Sequence, residues 1–314
     1  MSFGSGAIGG VVNVVDSRVP TDNTTQGDWL LESGSVDNKK LASFNATTGF
    51  DSFAFYADGY WRDSDDYEVP VSPESEEDHH DDSDNYTVAN SSERSSGFTL
   101  GGSYLFEGGY LGMSVEQFNR EYGIPGHSHG ETEEDHDEHE EHGAESHGDH
   151  DEESVLADLE QTRVQIQGSF NFDSGLIDRV NLRGGLTDYE HVELENGTTG
   201  TVFKSESQEL RVDLLHDRQT PWRGALSLHY KNTDFSALGS EAFTPPSETE
   251  MLALAIMEER RFDDVLVQLG ARIESVEISA PEVPFPELSL HAHDDHDDHD
   301  DHDDHDDHDD HDDH

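Results

Sequence analysis

The stretch TRVQIQGSFNF, residues 162–172, alternates at nearly every position. Val164, Ile166, Gly168, Phe170 and Phe172 fall on one side of an extended chain, and Arg163, Gln165, Gln167, Ser169 and Asn171 on the other. Two residues is the strand period, because successive side chains point to opposite faces of a pleated sheet. The segment therefore predicts a strand with one apolar and one polar side. Val180, Leu182, Gly184 and Leu186 repeat the pattern against Arg179, Asn181, Arg183 and Thr187. So do Leu210, Val212 and Leu214, then Leu226, Leu228 and Tyr230, and finally Val265, Val267, Leu269, Ala271 and Ile273. With 98–106, 110–122, 248–260 and three candidates within 29–62, about eleven strands are predicted, and helical periodicity is nearly absent.

The connections alternate too. Short turns are expected at 49–51, 107–109, 173–175, 219–221 and 262–264, and long connections at 63–95, 123–158, 193–202, 236–247 and from 279 onward. In an up-and-down meander this alternation collects every short turn at one end and every long loop at the other. Strands of about ten residues, period-two alternation and loops of unequal length at the two ends are the signature of a transmembrane β-barrel. A soluble β-sandwich also alternates and is the competing architecture. Against it, Arg, Gln, Asn and Asp recur on the polar face of strand after strand, which suits a wet lumen.

Composition narrows the function classes. The chain has 314 residues, 73 Asp plus Glu against 17 Lys plus Arg, and a formal net charge of -56. The excess lies in three blocks, 63–84, 131–153 and 294 to the end, so the intervening segments are near-ordinary in charge. Such a balance argues against nucleic-acid partners and for cations. There is no cysteine, so a disulfide framework and a thiolate metal site are both excluded. No apolar run approaches the length of a membrane-spanning helix. The first residues have no basic start and no apolar core of a secretory signal, although the abrupt start and an end inside a repeat read as a piece of a longer protein.

The opening GSGAIGGVVNVVD, residues 4–16, contains the spacing G-x-G-x-x-G. A nucleotide cradle needs those glycines between a strand and a helix. Only three residues precede Gly4, and Val11, Val12, Val14 and Val15 are β-branched, which favours strand over helix. The nucleotide reading fails on both conditions.

The 21 histidines are concentrated in the acidic blocks. One cluster holds His127, His129, His136, His139, His142, His147 and His150, a second His79 and His80, and a third His291, His293, His296 and His299, continuing to His314 at a spacing of three with two aspartates between. Two or three imidazoles with a carboxylate complete a tetrahedral zinc site, and neighbouring carboxylates can orient the rings. Imidazole also suits copper and nickel, so ligand type leaves the metal open among these. Such tracts bury no core and are expected to be disordered, solvated loops that still concentrate metal through many weak chelating sets. The isolated His191, His216 and His229 read as ordinary strand residues, with His229 in the lumen-facing phase.

Two stretches carry a family resemblance. GSGAIGGVVNVVDSRVP, residues 4–20, resembles the end of the plug domain of TonB-dependent outer-membrane receptors, and EYGIPGHSHG, residues 121–130, resembles the entry to the histidine-rich extracellular loop of their zinc-uptake branch. The resemblance implies residues 1–20 as the end of the plug and 21–290 as about 11 of 22 strands of a barrel, with an acidic loop at 63–95 and a His-rich loop at 123–158. Residues 291–314 are then a His/Asp tail within a further extracellular loop. It implies a multi-pass β-barrel in the Gram-negative outer membrane, with lipid and the TonB complex as partners and zinc as cargo. It implies a transporter that makes and breaks no bond, and a fragment inactive alone. The remaining readings are a TonB-dependent receptor for haem or a siderophore, and a metal-buffering protein without a barrel.

Overall fold

The computed structural model describes residues 16–70, 86–125, 155–217, 221–239, 242 and 244–281. The chain divides into two units, 1–281 and 282–314, and all described residues belong to the first. They form thirteen strands and no helix: β1 (Gln26–Ser33), β2 (Lys40–Phe50), β3 (Phe53–Ser64), β4 (Glu68–Val69), β5 (Tyr86–Thr87), β6 (Glu93–Phe106), β7 (Gly109–Gly123), β8 (Val155–Asn171), β9 (Arg179–Glu195), β10 (Thr198–His216), β11 (Arg223–Gly239), β12 (Ser247–Phe262) and β13 (Val265–Ser279). Eleven of them make one antiparallel sheet in the order β1-β2-β3-β6-β7-β8-β9-β10-β11-β12-β13. Every strand of it pairs with its sequence neighbour in the sheet, as the alternation of short and long connections predicts. The two-stranded ribbon β4-β5 lies within the 63–95 connection and has no alternation long enough to announce it.

Because the sheet is a meander, its two ends differ. At the turn end, β2 and β3 are joined through Asp51 and Ser52, β6 and β7 through Glu107 and Gly108, and β12 and β13 through Asp263 and Asp264. The connections after β3, β7, β11 and β13 leave the opposite, loop end.

One expected long loop is not there. Instead of a connection over 193–202, β9 and β10 run on to Glu195 and from Thr198 and close through Asn196 and Gly197 alone. Both have positive φ, 50° and 76°, the demand of a tight hairpin turn that Asn-Gly meets at little cost. Strands β8 to β11 are consequently 17 to 19 residues long.

Hydrophobicity is distributed inside out. The register aligns Tyr104, Leu111, Gly168, Leu182, Val212, Leu228, Leu254 and Ile273 across one face of β6 to β13, with parallel rungs on either side. Many of these side chains are exposed, among them Leu228, Leu254 and Ile273. Most of the buried residues sit on the opposite face and are small or polar, among them Ala54, Thr99, Ser103, Ser114, Ala157, Thr201, Asp213 and Ala253.

Residues 16–20 lie on that polar face. Val19 is buried there, and Arg18 donates to Glu116 of β7. Room for the backbone comes from missing side chains: a Cβ at Gly101 would strike the Arg18 carbonyl oxygen, and one at Gly112 would strike Val19. The chain then reaches the turn end, where the Asn23 amide donates to the Asp51 carbonyl at 3.1 Å, and enters β1.

Candidate functional site

The thirteen predicted metal ligands all lie outside the described residues: His79 and His80; His127, His129, His136, His139, His142, His147 and His150; and His291, His293, His296 and His299. The stems that carry them are described, and they leave the same end of the sheet. Asp66 organises the first stem by accepting the backbone N–H groups of Ser91 and Ser92, each at 2.7 Å. The same connection is tied to the turn between β1 and β2, where Asp65 N–H donates to the Asp37 carbonyl at 2.8 Å and the Asn38 amide to the Asp65 carboxylate at 3.1 Å. The second stem closes through Ile124 N–H to the Val155 carbonyl at 3.0 Å, and it joins the first through Gly123 N–H to the Ser92 carbonyl at 3.0 Å. The first two histidine segments therefore spring from adjoining points. The tail follows β13, whose last residue Ser279 pairs with Glu248 at that end.

This end is acidic beyond its local cations. Arg94 pairs with Asp63 at 3.0 Å, Arg120 and Arg62 share Glu93 at 3.2 and 3.4 Å, and Lys204 meets Glu190 at 2.6 Å. Asp65, Asp66, Glu68, Glu121, Asp158, Glu160, Glu193, Glu195, Glu250 and Glu277 add further carboxylates at or near the same end. A surplus of this kind raises the local concentration of cations. Among the described residues no set of three His, Asp or Glu is arranged to hold a metal ion.

The three isolated histidines are strand residues with local partners. His229 stands on the polar face with Nε2 2.7 Å from the Glu209 carboxylate, and His216 sits at the turn end with Nε2 2.8 Å from Glu258. The His191 ring is packed among Tyr122, Tyr189 and Phe203, with centroids 6.2, 6.5 and 5.6 Å away. The rest of the polar face is a wall of paired polar groups. Arg211 donates to Asp213 at 3.0 Å, Ser227 donates to the same carboxylate, Ser169 donates to Asn181 at 3.0 Å, and Gln167 donates to the Tyr110 hydroxyl at 2.8 Å.

The sequence reading missed two aromatic borders on the exposed apolar face. At the turn end Phe55, Phe50, Phe53, Tyr104, Phe106 and Phe170 form a chain of ring contacts at 5.5 to 6.1 Å, crossing from β3 and β2 to β8. Trp222 and Phe262 continue the border at β11 and β12, 6.2 Å apart and edge to face. Toward the loop end Trp29, Phe44 and Phe98 share one rung across β1, β2 and β6, with Trp61 one rung further. Trp29 is 76% exposed, a costly place for an indole facing water. Between the borders lie aliphatic or small residues such as Ala46, Ala57, Leu100 and Met113. Beyond them toward the loop end the same face turns polar at Glu206, Gln208, Asn232 and Asp234. No protein-family model matches the chain.

Proposed function

We propose that the sheet is part of the wall of an outer-membrane β-barrel and that the chain acts in TonB-dependent uptake of a divalent metal, zinc in the first instance. The observation that carries this reading is the exposed apolar band between two aromatic borders, with the stems of all three histidine-rich segments at one end of it. From Trp61 to Phe53 the band runs about 26 Å along β3 at ~3.3 Å per residue. With the ~40° strand tilt of such barrels its height becomes about 20 Å, near the ~25 Å apolar band of outer-membrane proteins. A metal buffer in water would leave this band wet, and soluble monomers rarely expose a contiguous apolar patch of such size. The extension of β8 to β11 past the band supports a polar rim on the outer side, where His and carboxylate donors meet metal from the medium.

In this mechanism the loop histidines and their carboxylates capture the cation, the surplus acid at the loop end concentrates it, and the polar face borders its way inward. Residues 16–20 seated on that face connect β1 to whatever moves when TonB engages. Capture requires neutral imidazole, so it weakens as pH falls below about 6.

Zinc titration calorimetry on the 314-residue chain in micelles tests the ligand assignment, with His127, His129, His136, His139, His142, His147 and His150 replaced by Ala. Loss of sites in the variant and in the parent at pH 5 is expected. Undiminished binding after replacement of all thirteen histidines refutes it. Recovery of the expressed chain wholly in the soluble fraction, folded, refutes the membrane reading separately.

A further inference from the structure

At the turn end of β11 and β12 the apolar face finishes in a corner that combines a cation with two large rings. The last rung there that is aliphatic on every strand from β10 to β13 is Leu214, Leu226, Ile256 and Ala271, and β13 alone continues it with Leu269, Val267 and Val265. Beyond it the same face presents Glu258, which is paired with His216, and then Arg260, flanked by Trp222 and Phe262. The Arg260 guanidinium carbon lies 4.5 Å from the Phe262 ring centroid and 5.9 Å from that of Trp222. Rings hold a guanidinium by its face and leave its N–H edge for an in-plane acceptor.

The carboxylates nearest in sequence are engaged elsewhere. Glu258 binds His216 at 2.8 Å, while Glu259 projects to the other face and accepts from Arg223 and, at 2.8 Å, from Gln268. No ion pair is formed by Arg260 among the described residues. A cation with that freedom, two rungs beyond exposed Leu226 and Ile256 with the His216-paired Glu258 between, is positioned at the edge of the apolar face, where a lipid presents a phosphate above its acyl chains. Arginine recognises phosphate through paired, charge-assisted hydrogen bonds.

We propose that Arg260, Trp222 and Phe262 form a binding site for the phosphate of a glycerophospholipid headgroup, with the acyl chains lying on Leu226, Leu254 and Ile256. The site rests on the membrane reading given above and goes beyond it by fixing one lipid in one place. It would anchor the turn end of β11 and β12 at the interface.

The chain has three tryptophans, so Trp29→Phe and Trp61→Phe leave Trp222 as the sole reporter. This form is placed in phosphate-free maltoside micelles and titrated with phosphatidylglycerol carrying brominated acyl chains, or with diacylglycerol carrying the same chains. Trp222 is expected to be half-quenched at about tenfold lower phospholipid than diacylglycerol, the ratio one charge-assisted contact provides. Arg260→Gln should bring the ratio to about one, and Arg260→Lys should restore part of it. Equal quenching in the parent, or a preference untouched by Arg260→Gln, overturns the site. If brominated maltoside does not quench Trp222, the chain is outside the micelle, and the membrane reading falls together with the site.

Discussion

Replacing Gly101 by alanine should release residues 16–20 from the polar face without disturbing the sheet. A Cβ at Gly101 cannot coexist with the Arg18 carbonyl oxygen, so the segment has to lift. Two interactions go with it. Val19 is 5% exposed, and burying a valine contributes about 2 kcal/mol. The Arg18 and Glu116 side chains are 26% and 19% exposed, and a pair that retains solvent contributes about 1 kcal/mol. The sum, about 3 kcal/mol, corresponds to a roughly 150-fold rise in the undocked population. Trypsin reports it, because Arg18 is a cleavage site that the docked segment hides. When reclosing outpaces cleavage, the rate follows the open population. The initial rate of appearance of the 19–314 product, followed by intact mass in micelles, should therefore rise by about two orders of magnitude in Gly101→Ala. Glu116→Gln removes the ion pair alone and should raise it about fivefold. Far-UV circular dichroism should match the parent in both variants. A Gly101→Ala rate within twofold of the parent would show that residues 16–20 do not dock where Gly101 leaves room.

Three further outcomes are expected. Leu254, between Leu228 and Ile273 in the middle of the apolar band, should cost about 2–4 kcal/mol when changed to Arg in a bilayer, whereas Ser207→Arg on the polar face should cost far less; guanidine unfolding in vesicles compares them, and equal costs would remove the assignment of faces. Gly197 has φ 76° with open space around its missing Cβ, so Gly197→Ala should lose about 1 kcal/mol to backbone strain alone; Gly185→Ala, where an added Cβ would make only an ordinary contact with the Val164 carbonyl oxygen at 3.9 Å and φ is ordinary, should lose nothing, and a matched drop in urea midpoint for both would refute the strain argument. The Asp22 carboxyl is held below its ordinary range by hydrogen bonds from the Thr24 side chain and then its N–H. The charged form is thus favoured in the folded state, and its contribution is present above the unfolded pKa and lost as pH falls through the lowered folded value. Asp22→Asn should weaken the entry to β1 at neutral pH and match the parent at strongly acidic pH, as read by amide exchange at Thr24.

How far the strands were legible depended on where each residue stands relative to the apolar band. Residues 162–172 and 180–187 lie within it, so one face needed apolar side chains and the other polar ones, and period two was written plainly. Toward the loop end that demand lapses. Glu190 faces Lys204 and Glu206 faces Asp234 in register, and apolar residues fall on both faces, Val192 and Val202 on one and Tyr189 and Phe203 on the other, so no single apolar side showed and the extensions of β9 and β10 resembled a loop. The Asn196 and Gly197 pair was the signal that could have corrected this, since it specifies a tight hairpin. The aromatic borders were illegible for another reason: Phe50, Tyr104, Phe106 and Phe170 come from three separate hairpins, and only register makes them neighbours. The isolated histidines were legible as strand residues, whereas their particular partners, Glu209 and Glu258, depended on cross-strand pairing.

From the sequence alone the class of fold followed, and with it the chemistry that the proposed ligand rests on. Alternation requires a sheet with one wet and one apolar side, whatever the register, and histidine with carboxylate in a chain of charge -56 and without cysteine suits a divalent cation. Tertiary structure decided which surface is exposed. The sheet exposes its large apolar side chains on one face, while the polar face receives residues 16–20 and holds most of the buried small residues. Only strand pairing gathers scattered rings into two borders and sets the stems of the histidine segments at one end. Those relations depend on residues far apart in the chain, and local periodicity carries no information about them.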